Sequence, residues 1–324
     1  MNNKKIVVAG GGILGRQIAF QSAYCGFDVT LLIRKEDSLE KIKENLKKLS
    51  DTYISTIELM DTKVGKSANN WAKGISDIEE FDKNKCIENV NSAYENIVIE
   101  TEQKKALEGA YLLIESITED MNIKKEFYES ISNKLDEETI IVTNSSTLLP
   151  SKLAKYTGRP DKFLALHFAN SIWKNNITEI MGHSHTDEKY YDELSKFAKK
   201  IKMIPLIAKE EKAGYVLNSM LVPFLLSAMD LLSNGVSDYE TIDKAWTLGT
   251  GAPKGPFQII DTVGLETAKN IVIQYQKVPN IFDPLLKKMM LPYNYDGMLD
   301  ILNKYIEEGK LGKSVGEGFY KYDE

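Results

Sequence analysis

One local feature constrains this chain more than any other. Residues 4–9 (KKIVVA) read as a short buried strand, and Gly10-Gly11-Gly12-Ile13-Leu14-Gly15 leads without a spacer into a helical pattern over 16–25. A second strand pattern over 29–33 completes a strand, helix, strand unit, which connection rules make parallel with a right-handed crossover. The three spaced glycines have separate tasks: Gly10 permits the tight turn, Gly12 lets a pyrophosphate approach the backbone, and Gly15 lets the helix pack on the strand. The helix N-terminus then faces the phosphate charge. Gly10, Gly12, Ile13, Leu14 and Gly15 are therefore candidate cofactor contacts, with a dinucleotide as the expected ligand.

The alternation continues. Residues 35–49 are helical and lysine-rich, as a solvated face would be, and 50–101 is polar but too long for a plain loop, so helices packed outside the sheet are expected there. Strands follow at 110–115 (AYLLIE), 139–143 (TIIVT), 163–167 (FLALH) and 177–181 (ITEIM), with a helix over 122–135. After Ile204-Pro205 the strand pattern gives way to apolar helices, notably 216–232, and later to segments broken by Pro253, Gly255, Pro256 and Pro292. The expected fold is α/β: a doubly wound, Rossmann-type sheet domain over 1–208, then an all-α domain over 209–324.

Composition excludes several classes. No stretch approaches the roughly 18 uninterrupted apolar residues of a membrane span, so no membrane partner is expected. Two cysteines are too few for a disulfide scaffold or a thiolate metal site, which suits a reducing cytoplasm. A formal charge of −6 without a basic stripe argues against nucleic acid. His183 and His185 have no evident third ligand, so no metal is expected.

Of three histidines, His167 ends a strand at the carboxyl edge of the sheet, where doubly wound folds place ligands, and histidine is the side chain type suited to moving a hydroxyl proton. Glu179, on the next strand, is placed to orient its imidazole. Ser146, just after another strand, either bonds a substrate oxygen or serves as a turn residue. At the ribose position, Ile33 cannot accept a bond from a 2′-hydroxyl, whereas Arg34 could grip a 2′-phosphate. The pair points to NADP rather than NAD, unless Arg34 merely stacks near the adenine and either cofactor is accepted.

These residues, with the runs 114–120 and Lys124, 143–148, 167–170 (HFAN), 214–223 (GYVLNSMLVP), 255–257 (GPF) and 316–320 (GEGFY), resemble the L-3-hydroxyacyl-CoA dehydrogenase family over nearly the whole chain. The resemblance implies His167 and Glu179 as the proton-transfer pair, Ser146 and Asn218 as substrate contacts, and Glu119, Lys124, Ser146 and Asn170 beside the nicotinamide. It also implies a homodimer and a short-chain 3-hydroxyacyl-CoA substrate. Departures are the missing ribose aspartate, a long 50–101 segment and the loop 171–176 (SIWKNN), where the family carries prolines. That loop and the run 144–150 resemble the diketoreductase branch, whose substrates are diketo esters without CoA. Trp173 and the paired asparagines Asn175 and Asn176 are expected to narrow the pocket or present new hydrogen bonds, unless the loop packs on a dimer partner. A third possibility is a cofactor-binding protein without turnover.

Overall fold

The computed structural model describes residues 4–67, 71–276 and 293–322, in two compact units, Met1–Val216 and Leu217–Glu324. The first is built on an eight-stranded sheet: β1 (Lys5–Ala9), β2 (Asp28–Leu32), β3 (Val98–Glu100), β4 (Ala110–Glu115), β5 (Ile140–Thr143), β6 (Phe163–Phe168), β7 (Ile177–Met181) and β8 (Ile204–Ala208). Their order in space is β3, β2, β1, β4, β5, β6, β7, β8, and every pairing is parallel except the antiparallel β6–β7.

Alternation along the central strands explains why helices lie on both faces. Ile6 and Val8 of β1 with Leu112 and Ile114 of β4 join one buried cluster, while Val7, Ala9 and Leu113 join another. A sheet apolar on both faces is stable only when covered twice. The covers are α1 (Ile13–Tyr24), α2 (Leu39–Met60), α3 (Lys83–Asn96), α4 (Gln103–Leu107), α5 (Met121–Ile131), α6 (Pro150–Leu153) and α7 (Lys189–Lys200). In α2, Ile42, Leu46, Ser50, Tyr53, Ile57 and Met60 recur at three- and four-residue spacing, one buried stripe on a helix that is otherwise largely polar. Thus 50–101 holds the second half of α2 and all of α3, as expected, but also the edge strand β3, which the sequence reading missed.

The second unit is helical: α8 (Tyr215–Ser233, whose first two residues belong to the first unit), α9 (Tyr239–Thr250), α10 (Pro256–Val263), α11 (Leu265–Gln276) and α12 (Tyr295–Glu307). Pro292 lies outside the described residues. The GPF and GEGFY runs prove to be packing devices. Asp243 accepts the Phe257 and Gln258 amides, and Asp261 accepts those of Phe319 and Tyr320. A β-carbon on Gly255 would lie 2.2 Å from the Asp243 carboxyl carbon, and one on Gly318 2.1 Å from an Asp261 oxygen.

By length and composition α8 could cross a membrane, with a mean hydropathy of 1.6, because its polar residues are few and scattered. Val222, Leu226 and Met229 sit in the core of the second unit, whereas Met220 and Leu231 are exposed.

Candidate active site

Gly10 stands at φ +119°, and a β-carbon there would lie 2.3 Å from the Ser116 carbonyl oxygen. One on Gly15 would lie 2.0 Å from the Gly10 carbonyl oxygen, so the turn closes only with glycine at both positions. Gly12 differs: nothing lies within 4 Å of the place its β-carbon would occupy, and as the N-cap of α1 it leaves the first-turn amides without a side-chain partner. This open N-terminus borders a cleft of about 980 Å³ lined also by Ile33, Arg34, Lys35, Lys41 and Thr118. An anion-binding helix end beside exposed cations fits a pyrophosphate-containing cofactor. Lys41, from α2, is a wall residue the sequence reading missed, since its lysine-rich helix reads as a solvated face. Ile33 is buried, and its amide bonds the Glu100 carbonyl of β3 at 2.9 Å. Ile13 is 69% exposed and, like Leu14, does not line the cleft.

His167 and Glu179 face each other on one rung of the antiparallel β6–β7 pair. Their side chains therefore leave the sheet on the same side. His167 Nδ1 lies 3.1 Å from Glu179 Oε2, and Nε2 lies 3.2 Å from the Ser146 hydroxyl, which enters from the turn after β5. Both members of the pair are buried, Glu179 almost completely. Its other oxygen accepts the Val216 amide at 2.9 Å. The Tyr215 ring lies flat on the imidazole, centroids 4.4 Å apart and planes within 7°. Tyr215 was not singled out from sequence, where it is one apolar residue of a helical run. Asn218 follows on α8 in the second unit, half-buried.

Beneath the Ser146 turn lies a polar network. Glu115, fully buried at the end of β4, accepts from Lys124 Nζ at 2.5 Å, from the Tyr128 hydroxyl at 2.8 Å and from the Thr143 hydroxyl at 2.8 Å. Lys124 also lies 3.4 Å from Glu119. Glu119 accepts from the Ser145 hydroxyl and from the amide and hydroxyl of Thr147. Burial alone would raise the Glu119 carboxyl, but the Ser145 bond, the Lys124 charge and the Thr147 bonds together hold it below its ordinary value. Lys124 is 1% exposed, its ammonium turned into the network toward Glu115 and Glu119. Asn170 is exposed in the loop after β6, where its carbonyl accepts the Asn175 side chain.

Residues 5–211 match the NAD binding domain of 3-hydroxyacyl-CoA dehydrogenase, and residues 214–322 match its C-terminal domain. The chain belongs to the 3-hydroxyacyl-CoA dehydrogenase family. It is an oxidoreductase whose first domain is of the NAD-binding kind. It is 32% identical to the human mitochondrial hydroxyacyl-coenzyme A dehydrogenase, over 98% of this chain and 91% of that one. It is 27% identical to a 3-hydroxybutyryl-CoA dehydrogenase of Clostridioides difficile, over 98% and 99%. Among solved structures, a diketoreductase described as a dual catalyst of dicarbonyl compounds superposes with a TM-score of 0.80 at 40% identity, over 99% of this chain and 100% of that one.

Within this hydroxyacyl-CoA dehydrogenase frame, the 171–176 loop is packed into the first unit. Trp173 is buried against Tyr53 of α2, ring centroids 5.1 Å apart, and its carbonyl accepts the Gly74 amide. Gln17 of α1 accepts the Ser171 amide at 2.9 Å, so the chain beyond His167 is anchored to the first helix.

Proposed function

We infer that this family member interconverts a 3-hydroxyacyl group and its 3-ketoacyl partner, with His167 as the proton-transfer group. The observation that supports it best is the imidazole bonded on one side to a buried carboxylate and on the other to a hydroxyl. Glu179 sets the ring orientation and stabilises the imidazolium that forms when the 3-hydroxyl proton is taken. Ser146, sharing Nε2, holds the substrate oxygen, and the family resemblance gives Asn218 the part of a further substrate contact. A bound nicotinamide supplies the hydride exchange with C3. In the ketone-reducing direction His167 returns the proton.

NADP is the favoured cofactor. Ile33 offers the ribose no acceptor, while Arg34, Lys35 and Lys41 put three cations on the cleft wall. Arg34→Ala should lower kcat/KM for NADPH by about 10- to 100-fold and for NADH by less than about threefold, the scale of a charge-assisted bond. A wild-type enzyme that prefers NADH would overturn this assignment.

A second reading of the acyl substrate, a 3-keto or 3,5-diketo ester without CoA, is favoured by the diketoreductase likeness, higher in identity than the CoA-dependent relatives named above. Rates with NADH and NADPH against acetoacetyl-CoA and acetoacetate esters separate the two. A kcat/KM advantage for the thioester supports the first reading, and an advantage for the ester supports the second.

The enzyme is proposed to work as a homodimer. Met220, Trp246 and Leu248 of the second unit are 63%, 38% and 85% exposed, an apolar surface suited to a second copy. Sedimentation should give twice the 36.6 kDa chain mass, and Leu248→Glu should weaken the pairing. A chain that stays at 36.6 kDa at micromolar concentration would refute the dimer.

A further inference from the structure

Three successive residues at the end of the first unit grip the proton-transfer machinery from outside the sheet. The Gly214 amide donates to the Ser146 carbonyl at 3.2 Å, the Tyr215 hydroxyl to the Ser145 carbonyl at 2.7 Å, and the Val216 amide to Glu179 Oε1 at 2.9 Å. Between these bonds the Tyr215 ring covers one face of the imidazole. Tyr215 does this at φ +52°, a left-handed backbone that a bulky side chain rarely adopts. A conformation held against the residue's own preference, next to reacting groups, marks a site where the surroundings over-determine it.

The geometry assigns Tyr215 as a positioning residue for the reaction inferred above. Its ring fixes the plane of the His167 imidazole, and its left-handed turn aims the next amide at the Glu179 oxygen that does not face the histidine. Oε2 is thereby kept for Nδ1. The ring face also favours the imidazolium, because a cation is attracted to an aromatic quadrupole at this separation. The titratable groups in contact with the imidazole are Glu179 from β7 and Tyr215 itself, with Glu115, Glu119 and Glu211 adding negative charge around the phenol. Burial pushes the Tyr215 phenol far above its usual range, so it remains a neutral donor to Ser145.

Two variants separate ring from hydroxyl while sparing the fold. Tyr215→Phe keeps the ring and loses the Ser145 bond. Tyr215→Asn loses the ring but suits the left-handed turn, which asparagine tolerates. Tyr215→Phe should keep kcat within about threefold, whereas Tyr215→Asn should lower it about tenfold or more with cofactor affinity unchanged, the scale of a misoriented catalytic group. In the hydroxyl-oxidising direction the acid limb of the Tyr215→Asn pH profile should move to lower pH, because the imidazolium has lost a stabilising face.

Without any substrate, the Hε1 resonance of His167, one of three histidines, should lie upfield in the wild type and in Tyr215→Phe and move downfield in Tyr215→Asn. This last measurement decides the stacking even if no ketoacyl compound is turned over. The assignment is overturned if Tyr215→Asn leaves kcat, acid limb and Hε1 resonance where they were, or if both variants lose activity equally.

Discussion

Replacing His167 with alanine should lower turnover on the best substrate by about 10²- to 10⁴-fold, the contribution of a positioned general base, with cofactor affinity nearly unchanged. The split follows from the architecture. The imidazole is held by Glu179, Ser146 and Tyr215, whereas the pyrophosphate turn is built from Gly10, Gly12 and the start of α1. Glu179→Gln should be less severe, since the ring keeps Ser146 and Tyr215 as neighbours while losing a charge that favours the imidazolium. Steady-state turnover with cofactor titration measured by protein fluorescence tests both. A loss below tenfold for the alanine variant would remove His167 from the chemistry.

The second large effect concerns stability. Lys124→Met should cost the first unit about 3–5 kcal/mol, because it leaves Glu115 as a buried carboxylate without its cation. For a unit of this size that is a fall in melting temperature of roughly 10 °C, readable by calorimetry. The double variant Lys124→Met with Glu115→Leu should recover much of the deficit, since an apolar replacement of a buried ion pair is often neutral. If Lys124→Met melts within 2 °C of the wild type, the network is not a load on the fold. Activity is a separate readout: Glu119 loses a charged neighbour, and with it part of the grip on the Ser145–Thr147 turn that carries Ser146.

The glycine turn and the His167–Glu179 pair were legible because each is a local rule written at a strand end. Glycine at three spaced positions and a histidine closing a buried strand need no knowledge of distant residues. The edges of the sheet were less legible for physical reasons. β3 is three residues long, and β8 (IPLIA), though apolar throughout, carries Pro205, which cannot donate to a ladder and reads as the end of a strand pattern. Lys124 falls on a helix where most lysines meet solvent; only the buried Glu115 nine residues earlier turns it inward. Trp173 packs on Tyr53, 120 positions away in sequence, a pairing that no spacing rule contains. Tyr215 was hidden because its role depends on one left-handed backbone angle.

The rung that joins His167 to Glu179 has an evolutionary corollary. Main-chain ladder bonds, rather than the connecting segment between the two strands, set the separation of acid and base. That segment, although packed on Tyr53 and Gln17, does not set their distance, so the proton-handling couple stays in register when the segment's sequence changes. A lineage can thus explore new substrates without retuning its chemistry.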